Sequence, residues 1–311
     1  MHAIDFSVAY WLSRYYHAIG IISFTLDILS IYLILFKSDK IDHFRYFLLN
    51  FQVSCSLTDF HLTFLIQPVP LYPLLSGYIM GFGVHLGANL AFGINGVAFL
   101  VTYQIGSMIT CFVCKHQAIA AILHRYVIPK VCIVFMFIYF LAYLIAVPGF
   151  LSTLSVHETL KWSFIRKNYP ELVGQFESLP NFSIYEFSSD FLILIVGSTL
   201  GAMLAFSIFV VILLNIFRML TILKCMISAS NYRKHRAAIR SLLAQFATSS
   251  VIFVPPIICA FIIAMKIDGS QRYVESFLMI ACLHSSLNAV VLIITCPPYK
   301  SFFMEFVYRK Q

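Results

Sequence analysis

Residues 50–73 read NFQVSCSLTDFHLTFLIQPVPLYP, and this stretch decides the fold. One carboxylate, Asp59, interrupts a run otherwise apolar enough to cross a bilayer, and Pro68, Pro70 and Pro73 close it. Across residues 46–114 no other Asp, Glu, Lys or Arg occurs. About 20 apolar residues cross the roughly 30 Å hydrocarbon core of a membrane, so the stretch has room for two crossings. The prolines, followed by Gly77, Gly81 and Gly83, place the break between them. Proline removes a backbone donor and restricts its predecessor, so a helix end and a tight turn are expected there.

The rest of the chain has the same texture. Charged residues make up 11% and hydrophobic residues 60%, whereas soluble domains carry about 25% charged residues. Further charge-free runs cover residues 131–157, 191–217, 241–265 and 276–299. The expectation is an all-α membrane protein, residues 1–311 forming a single seven-transmembrane helix bundle. Its helices fall at about 18–36, 44–67, 87–114, 126–151, 190–216, 241–265 and 274–295. No basic-then-apolar signal peptide opens the sequence, so the first helix is expected to act as its own insertion signal.

Lysine and arginine gather on the cytoplasmic side of membrane proteins. One set of connections carries Lys37, Lys40, Arg45, Lys115, Arg125 and Lys130, then Arg218, Lys224, Arg233, Lys234, Arg236 and Arg240, and finally Lys300, Arg309 and Lys310. The opposite set carries only Arg14, Lys161, Arg166, Lys167, Lys266 and Arg272. The amino terminus is therefore expected outside and the carboxyl terminus inside. The net charge of +8 describes a basic inner face and not nucleic-acid binding. The N-x-S/T sequon at Asn181 lies in the loop between helices four and five, outside, where glycosylation is possible. Glu158, Glu171, Glu177 and Glu186 share that loop.

No cysteine lies in an expected outer loop. The pair Cys111 and Cys114 with His116 resembles half a zinc site and lacks a second pair of ligands, so no metal is expected. No phosphate loop, HExxH or nucleophile elbow occurs, which argues against an enzyme.

Intramembrane polar residues carry the rest of the reading. Gln52, Ser56, Asp59, Thr63 and Gln67 recur at helical spacing and form one stripe along the second helix. A charge at the bilayer centre costs about 2.5–3.5 kcal/mol, so the stripe must face a bundle or a wet cavity. Ser23, Asp27 and Ser30 form a shorter stripe on helix one. Asn89, Gly96, Tyr103 and Ser107 share a side of helix three, and His284 and Asn288 sit one turn apart on helix seven. For the hydroxyl groups, simple helix association is the better account, each bond contributing about 0.6 kcal/mol. For Asp27, Asp59, His284 and Asn288 the expectation is a central network with two packings. Pro255 and Pro256 in helix six are either a static kink or a hinge, as is Pro148 in helix four.

The run FRYFLLNFQVSCSLTDFHLTFLIQPVPLYPLLSGYIMG at 44–81, with YHAIGIISFTLDILSIYLILFKS at 16–38 and CPPYK at 296–300, resembles nematode serpentine chemoreceptors. It is most similar to serpentine receptor class I, with class H a near neighbour. The resemblance implies a seven-helix G-protein-coupled receptor that detects a small environmental chemical, an odorant or pheromone-like molecule, without a cofactor. It implies a heterotrimeric G protein as partner and the plasma membrane of sensory-neuron cilia as location. Tyr299 and the basic inner loops would face the G protein, and His85 and Asn89 would be ligand candidates at the outer end. The chain departs from related receptors at CPPYK, where an Asn commonly precedes Pro-Tyr-Arg. It also has no Asp-Arg-Tyr at the inner end of helix three.

Rival readings differ in testable ways. An opsin needs a lysine in helix seven, and residues 276–299 contain none. A seven-helix ligand-gated channel of the insect type has its amino terminus inside, against the charge count. A transporter is expected to show paired repeats with broken helices. A non-signalling membrane protein differs only in whether an outer ligand changes the inner face.

Overall fold

The computed structural model describes residues 9–37, 44–72, 74–179, 181–250, 262 and 271–308. Spans one to four are α1 (Ala9–Phe36), α2 (Phe44–Phe60), α3 (Leu90–Leu123) and α4 (Lys130–Thr153). Two short helices, α5 (Glu158–Asn168) and α6 (Val173–Glu177), lie in the outer loop, followed by α7 (Ser189–Met226) as span five. Span six begins as α8 (Ala229–Ser249). Span seven is α9 (Gln271–Cys282) and α10 (His284–Thr295), and α11 (Pro297–Tyr308) follows it. The Pro255–Pro256 pair lies outside the described residues.

Lipid explains which residues show. Ile21, Phe24 and Ile28 of α1 are exposed, while Tyr16, Ser23, Asp27, Ser30 and Ile34 are buried at steps of three, four and seven. The bundle is thus inside-out relative to a soluble protein, with apolar side chains on the rim. Hydroxyls that face lipid fold back on their own helix: Thr25, Thr199 and Ser207 donate to the carbonyls of Ile21, Ile195 and Met203. Such residues satisfy themselves and require no functional account.

Several helices run past their expected ends. α3 continues from Cys114 to Leu123, because nothing between them breaks a helix, and it stops where His124 turns left-handed at φ 51°. Lys115, expected in a loop, is therefore buried on α3 with its ammonium 3.8 Å from the Phe44 ring centroid. α7 likewise continues beyond Ile216 to Met226. The basic stretch 231–240, expected as a loop, is the inner part of α8, whose first turn is capped by Ser228 accepting from the Asn231 N–H. α1 begins at Ala9, nine residues before the expected start.

The outer end departs most from expectation. Past Phe60, span two widens into a π turn over His61–Ile66, where Gln67 N donates to Leu62 O five residues back. Gln67 then turns left-handed, with φ at 43°. The prolines make no simple turn: β1 (Pro68–Pro70) pairs antiparallel with β2 (Ser76–Ile79), which pairs with β3 (Ser183–Ile184). β1 is an edge strand, the one place in a sheet that tolerates residues without an N–H. Tyr16 O–H donates to Pro68 O and ties this sheet to α1. Val69, Leu71, Tyr78, Phe182 and Ile184 pack with Leu12, Tyr16 and Leu90 into an outer hydrophobic cluster.

A second, larger cluster fills the inner half, joining α1, α2, α3, α7, α8 and α10. Phe112 meets Phe209 edge-on at 4.9 Å, and Phe209 stacks on Phe246 at 4.4 Å, so spans three, five and six share one aromatic joint. α4 stands at the rim, with Leu144 its one buried residue. Its contact with α3 depends on Gly106, where an added Cβ would lie 1.9 Å from the Phe140 ring. Gly106→Val is therefore expected to overpack this seam by about 1–3 kcal/mol. Thermal unfolding of the detergent-purified chain measures this, and Phe140→Ala in the same molecule should restore most of the loss.

Candidate functional site

The polar core lies where α1, α2 and α10 meet. Asp27 on α1 accepts from Gln52 Nε2 at 3.1 Å, and both of its oxygens lie 2.9 Å from the Ser285 hydroxyl, which donates to them. These contacts tie three spans to one buried carboxyl group. Asn288 forms the next layer, its Nδ2 reaching Gln52 Oε1 at 3.4 Å and Cys55 Sγ at 3.5 Å, while its Oδ1 accepts from Thr248 at 3.3 Å. The contacts of Asn288 with Gln52 and Thr248 exceed the usual 2.7–3.2 Å for bonds between nitrogen or oxygen atoms, so this hub is held loosely.

Asp59 is buried beside Ser23, and Ser23 shares a short hydroxyl contact with Ser286 of α10. Its Oδ1 is buried and has no hydrogen-bond partner among the described residues. Its backbone carbonyl accepts from Thr63, within the π turn. The structure thus brings Asp27, Asp59 and Asn288 into one region. His284 points elsewhere and pairs with Gln104 of α3 at 3.0 Å.

Gln104 was not legible as a site residue. The sequence placed Tyr103 on the inner side of α3, but Tyr103 turns outward and donates to Asn50. The buried polar face of α3 is instead Gln104, Ser107, Cys111 and Lys115, at steps of three and four. An amphipathic tyrosine can lay its ring against lipid, whereas a glutamine amide cannot, and that asymmetry favours Gln104 as the inward residue.

The sixth span is latched to the seventh by hydroxyls and amides. Ser241 and Thr295 are 2.8 Å apart, Gln245 Nε2 donates to Ser241, and Thr248 donates to Asn288 one turn further out. Below this latch Arg233, Lys234, Arg236 and Arg240 are exposed on α8, with Arg218 and Lys224 exposed on α7. Tyr299, expected at the G-protein face, is instead fully buried in the inner cluster, on α11 just past Cys296, where the backbone leaves the helix in an extended conformation.

A cavity of about 640 Å³ lies between α3, α4, α7 and α8. Its wall is almost wholly apolar, with Phe209 and Phe246 among its lining residues and Gln104 and Ser249 among its few polar ones. Neither His85 nor Asn89 lines it. His85 is exposed on a short turn, and Asn89 accepts from Phe92 N as the cap of α3. Asn181, the sequon residue, is half-buried and left-handed, while Ser183 is buried and accepts from Ala91 N.

A family described as serpentine type 7TM GPCR chemoreceptor Sri matches residues 2–303. The chain belongs to this family. The fold of this Sri chain is similar to that of squid rhodopsin, with a TM-score of 0.56 at 14% sequence identity over 98% of this chain and 82% of that one. No curated protein sequence matches the Sri chain. Family and fold are those of a receptor, and the chain is a multi-pass membrane protein. Among its described residues no cluster of His, Cys, Asp and Glu is arranged to hold a metal ion.

The Asp27 layer yields a direct test. Asp27→Leu strands the Gln52 amide and the Ser285 hydroxyl inside the bundle, each without its acceptor. A loss of about 1–3 kcal/mol is expected, read as reduced surface expression and a lower unfolding temperature. Asp27→Asn, which keeps an acceptor, should cost visibly less.

Proposed function

We propose that the Sri chain is a chemosensory receptor of the plasma membrane, placed in sensory-neuron cilia. It binds a small environmental chemical and activates a heterotrimeric G protein. The observation that carries this reading is the position of α8. One face of α8 supplies Phe246 and Ser249 to the cavity, the next supplies Thr248 and Ser241 to the latch on span seven, and its inner end carries the exposed arginines. One rigid element thus meets the cavity, the polar core and the basic inner face.

The mechanism is a population shift. A ligand that fits the cavity better in one packing stabilises that packing by its differential affinity and no more. Moving Phe246 against Phe209 shifts α8, and the long bonds at Asn288 exchange at small cost. The inner half of span six then swings away from span seven, opening a cleft lined by Arg233, Lys234, Arg236 and Arg240 for the G protein. Tyr299, released from the inner cluster, would join that surface. Asp59, whose Oδ1 has no hydrogen-bond partner among the described residues, is positioned beside Ser23 to take a new hydrogen bond in the second packing.

The test is a second-messenger assay in cells carrying the chain with tags on both termini, against a panel of odorants and pheromone-like metabolites. An external amino-terminal tag and a ligand-dependent signal that vanishes without Gα are expected. Asp59→Asn should keep surface expression and change basal signalling or ligand potency by about three- to tenfold, the size of one hydrogen bond. An internal amino-terminal tag with a ligand-gated current independent of G protein would replace the receptor with a channel. An unchanged Asp59→Asn response would remove Asp59 from the switch.

A further inference from the structure

The receptor reading leaves open which chemicals fit the cavity and how they reach it. Three observations bear on both. The first is an orphaned acceptor. Gln104 lines the cavity at 3% exposure, and its Oε1 has no hydrogen-bond partner among the described residues. The orientation of that amide follows from its neighbour. His284 Nδ1 faces the Ala281 carbonyl at 3.2 Å, and a carbonyl only accepts, so Nδ1 carries the proton. In the neutral imidazole Nε2 is then an acceptor, and Gln104 must turn its N–H toward it. The amide oxygen is left over, on the cavity residue.

The second observation is a companion group. Ser249 also lines the cavity, is 5% exposed, and its Oγ likewise has no partner among the described residues. A buried polar atom without a partner has given up its hydration for nothing, so both atoms favour an occupant that satisfies them. Among the described residues that line the cavity none is charged, so they offer nothing to a carboxylate or an ammonium group.

The third observation is the way in. Phe135, Leu204 and Phe206 line the cavity and are also 66%, 51% and 57% exposed on the outer surface of the bundle. At these three side chains the wall between the cavity and the surface of the bundle is one residue thick. Tyr139 and Tyr143 hold α4 to α7 by donating to the carbonyls of Gly201 and Ser198. Inward of those two bridges Phe135 stands on one side, and Leu204 and Phe206 on the other. No member of the outer hydrophobic cluster lines the cavity. The thin wall at Phe135, Leu204 and Phe206 therefore lies on the side of the bundle that meets the hydrocarbon of the bilayer.

We infer that the cavity binds an uncharged, mostly hydrocarbon molecule bearing a hydroxyl group, taken up sideways from the membrane between α4 and α7. Its hydroxyl donates to Gln104 Oε1, Ser249 completes the polar end, and its apolar body lies against the α4 and α7 side chains. A volume of about 640 Å³ holds a molecule of ordinary ligand size. The inference deepens the receptor reading and rests on it. Through the Gln104–His284 bond, the occupant is also joined to span seven.

The experiment uses the full chain in phosphatidylcholine nanodiscs, without G protein, and a diazirine-bearing long-chain alcohol as photoprobe. Saturable labelling is expected within residues 135–143 and 201–209. The unlabelled alcohol should compete about tenfold better than its methyl ether, and the matching carboxylate should compete worst. Ala205→Phe, which fills the cavity away from the polar core, should abolish the saturable labelling. Gln104→Leu should leave labelling in place and erase the preference for alcohol over ether. Labelling that does not saturate, or that saturates but ignores both variants, would overturn the inference. Because no G protein is present, the two readings fail separately. Saturable binding with no cellular signal would refute the receptor alone, and an odorant signal without saturable alcohol binding would refute only the hydroxylated occupant and its lateral route.

Discussion

The bundle depends on one constraint above others: a carboxyl group inside a membrane must have donors. Asp27 finds them on two other spans, Gln52 and Ser285, and those contacts fix how α1, α2 and α10 sit against one another. Everything deeper in the core is arranged around that fixed layer. Gln52, once committed to Asp27 by its amide nitrogen, offers its oxygen to Asn288, and Asn288 in turn offers its oxygen to Thr248 on the sixth span. The contacts of the Asp27 carboxyl group are short, at 2.9–3.1 Å, and those of Asn288 with Gln52 and Thr248 are longer, at 3.3–3.4 Å. The short contacts join spans one, two and seven, and the long ones join spans two, six and seven.

Hydrophobic packing plays a different part. Lipid tails are as apolar as leucine, so burying a leucine between helices gains little over leaving it on the rim. Shape and close approach do more, as at Gly106, where the absent side chain lets the Phe140 ring lie against α3. The aromatic joint of Phe112, Phe209 and Phe246 holds spans three, five and six by ring geometry. That joint adjoins the cavity, because Phe209 and Phe246 belong to both.

Much of this was legible in the sequence, for identifiable reasons. Charge-free runs locate spans because lipid tolerates few alternatives, and stripes such as Ser23, Asp27 and Ser30 locate inward faces because polar groups cannot face hydrocarbon freely. Helix ends were less legible. Outside the membrane the penalty for charge disappears, so a stretch such as 231–240 can be helical without any apolar signature, and charge content alone reads as loop. Gln104 was hidden by its neighbour Tyr103, since both residues are polar by composition and only packing distinguishes them. The cavity was illegible in principle, because an unfilled volume depends on how several side chains fail to meet. Tyr299 was misplaced for a related reason: the backbone leaves the helix at Cys296, and its direction from there is not written in the residue that follows.

The π turn at His61–Ile66 has one more consequence. A helix that closes its bonds five residues back holds one residue more than its length in ordinary α geometry would allow. Everything beyond that turn, the proline strand β1, the sheet it edges and the outer cluster beneath it, is set by this single surplus residue. A chain one residue shorter here would close the helix normally and present the β1–β2 pair about 100° further round the axis of span two, out of register with its partners on α1 and β3. The orientation of the extracellular lid is thus a matter of counting: span two carries an integer offset, and the cap is keyed to it.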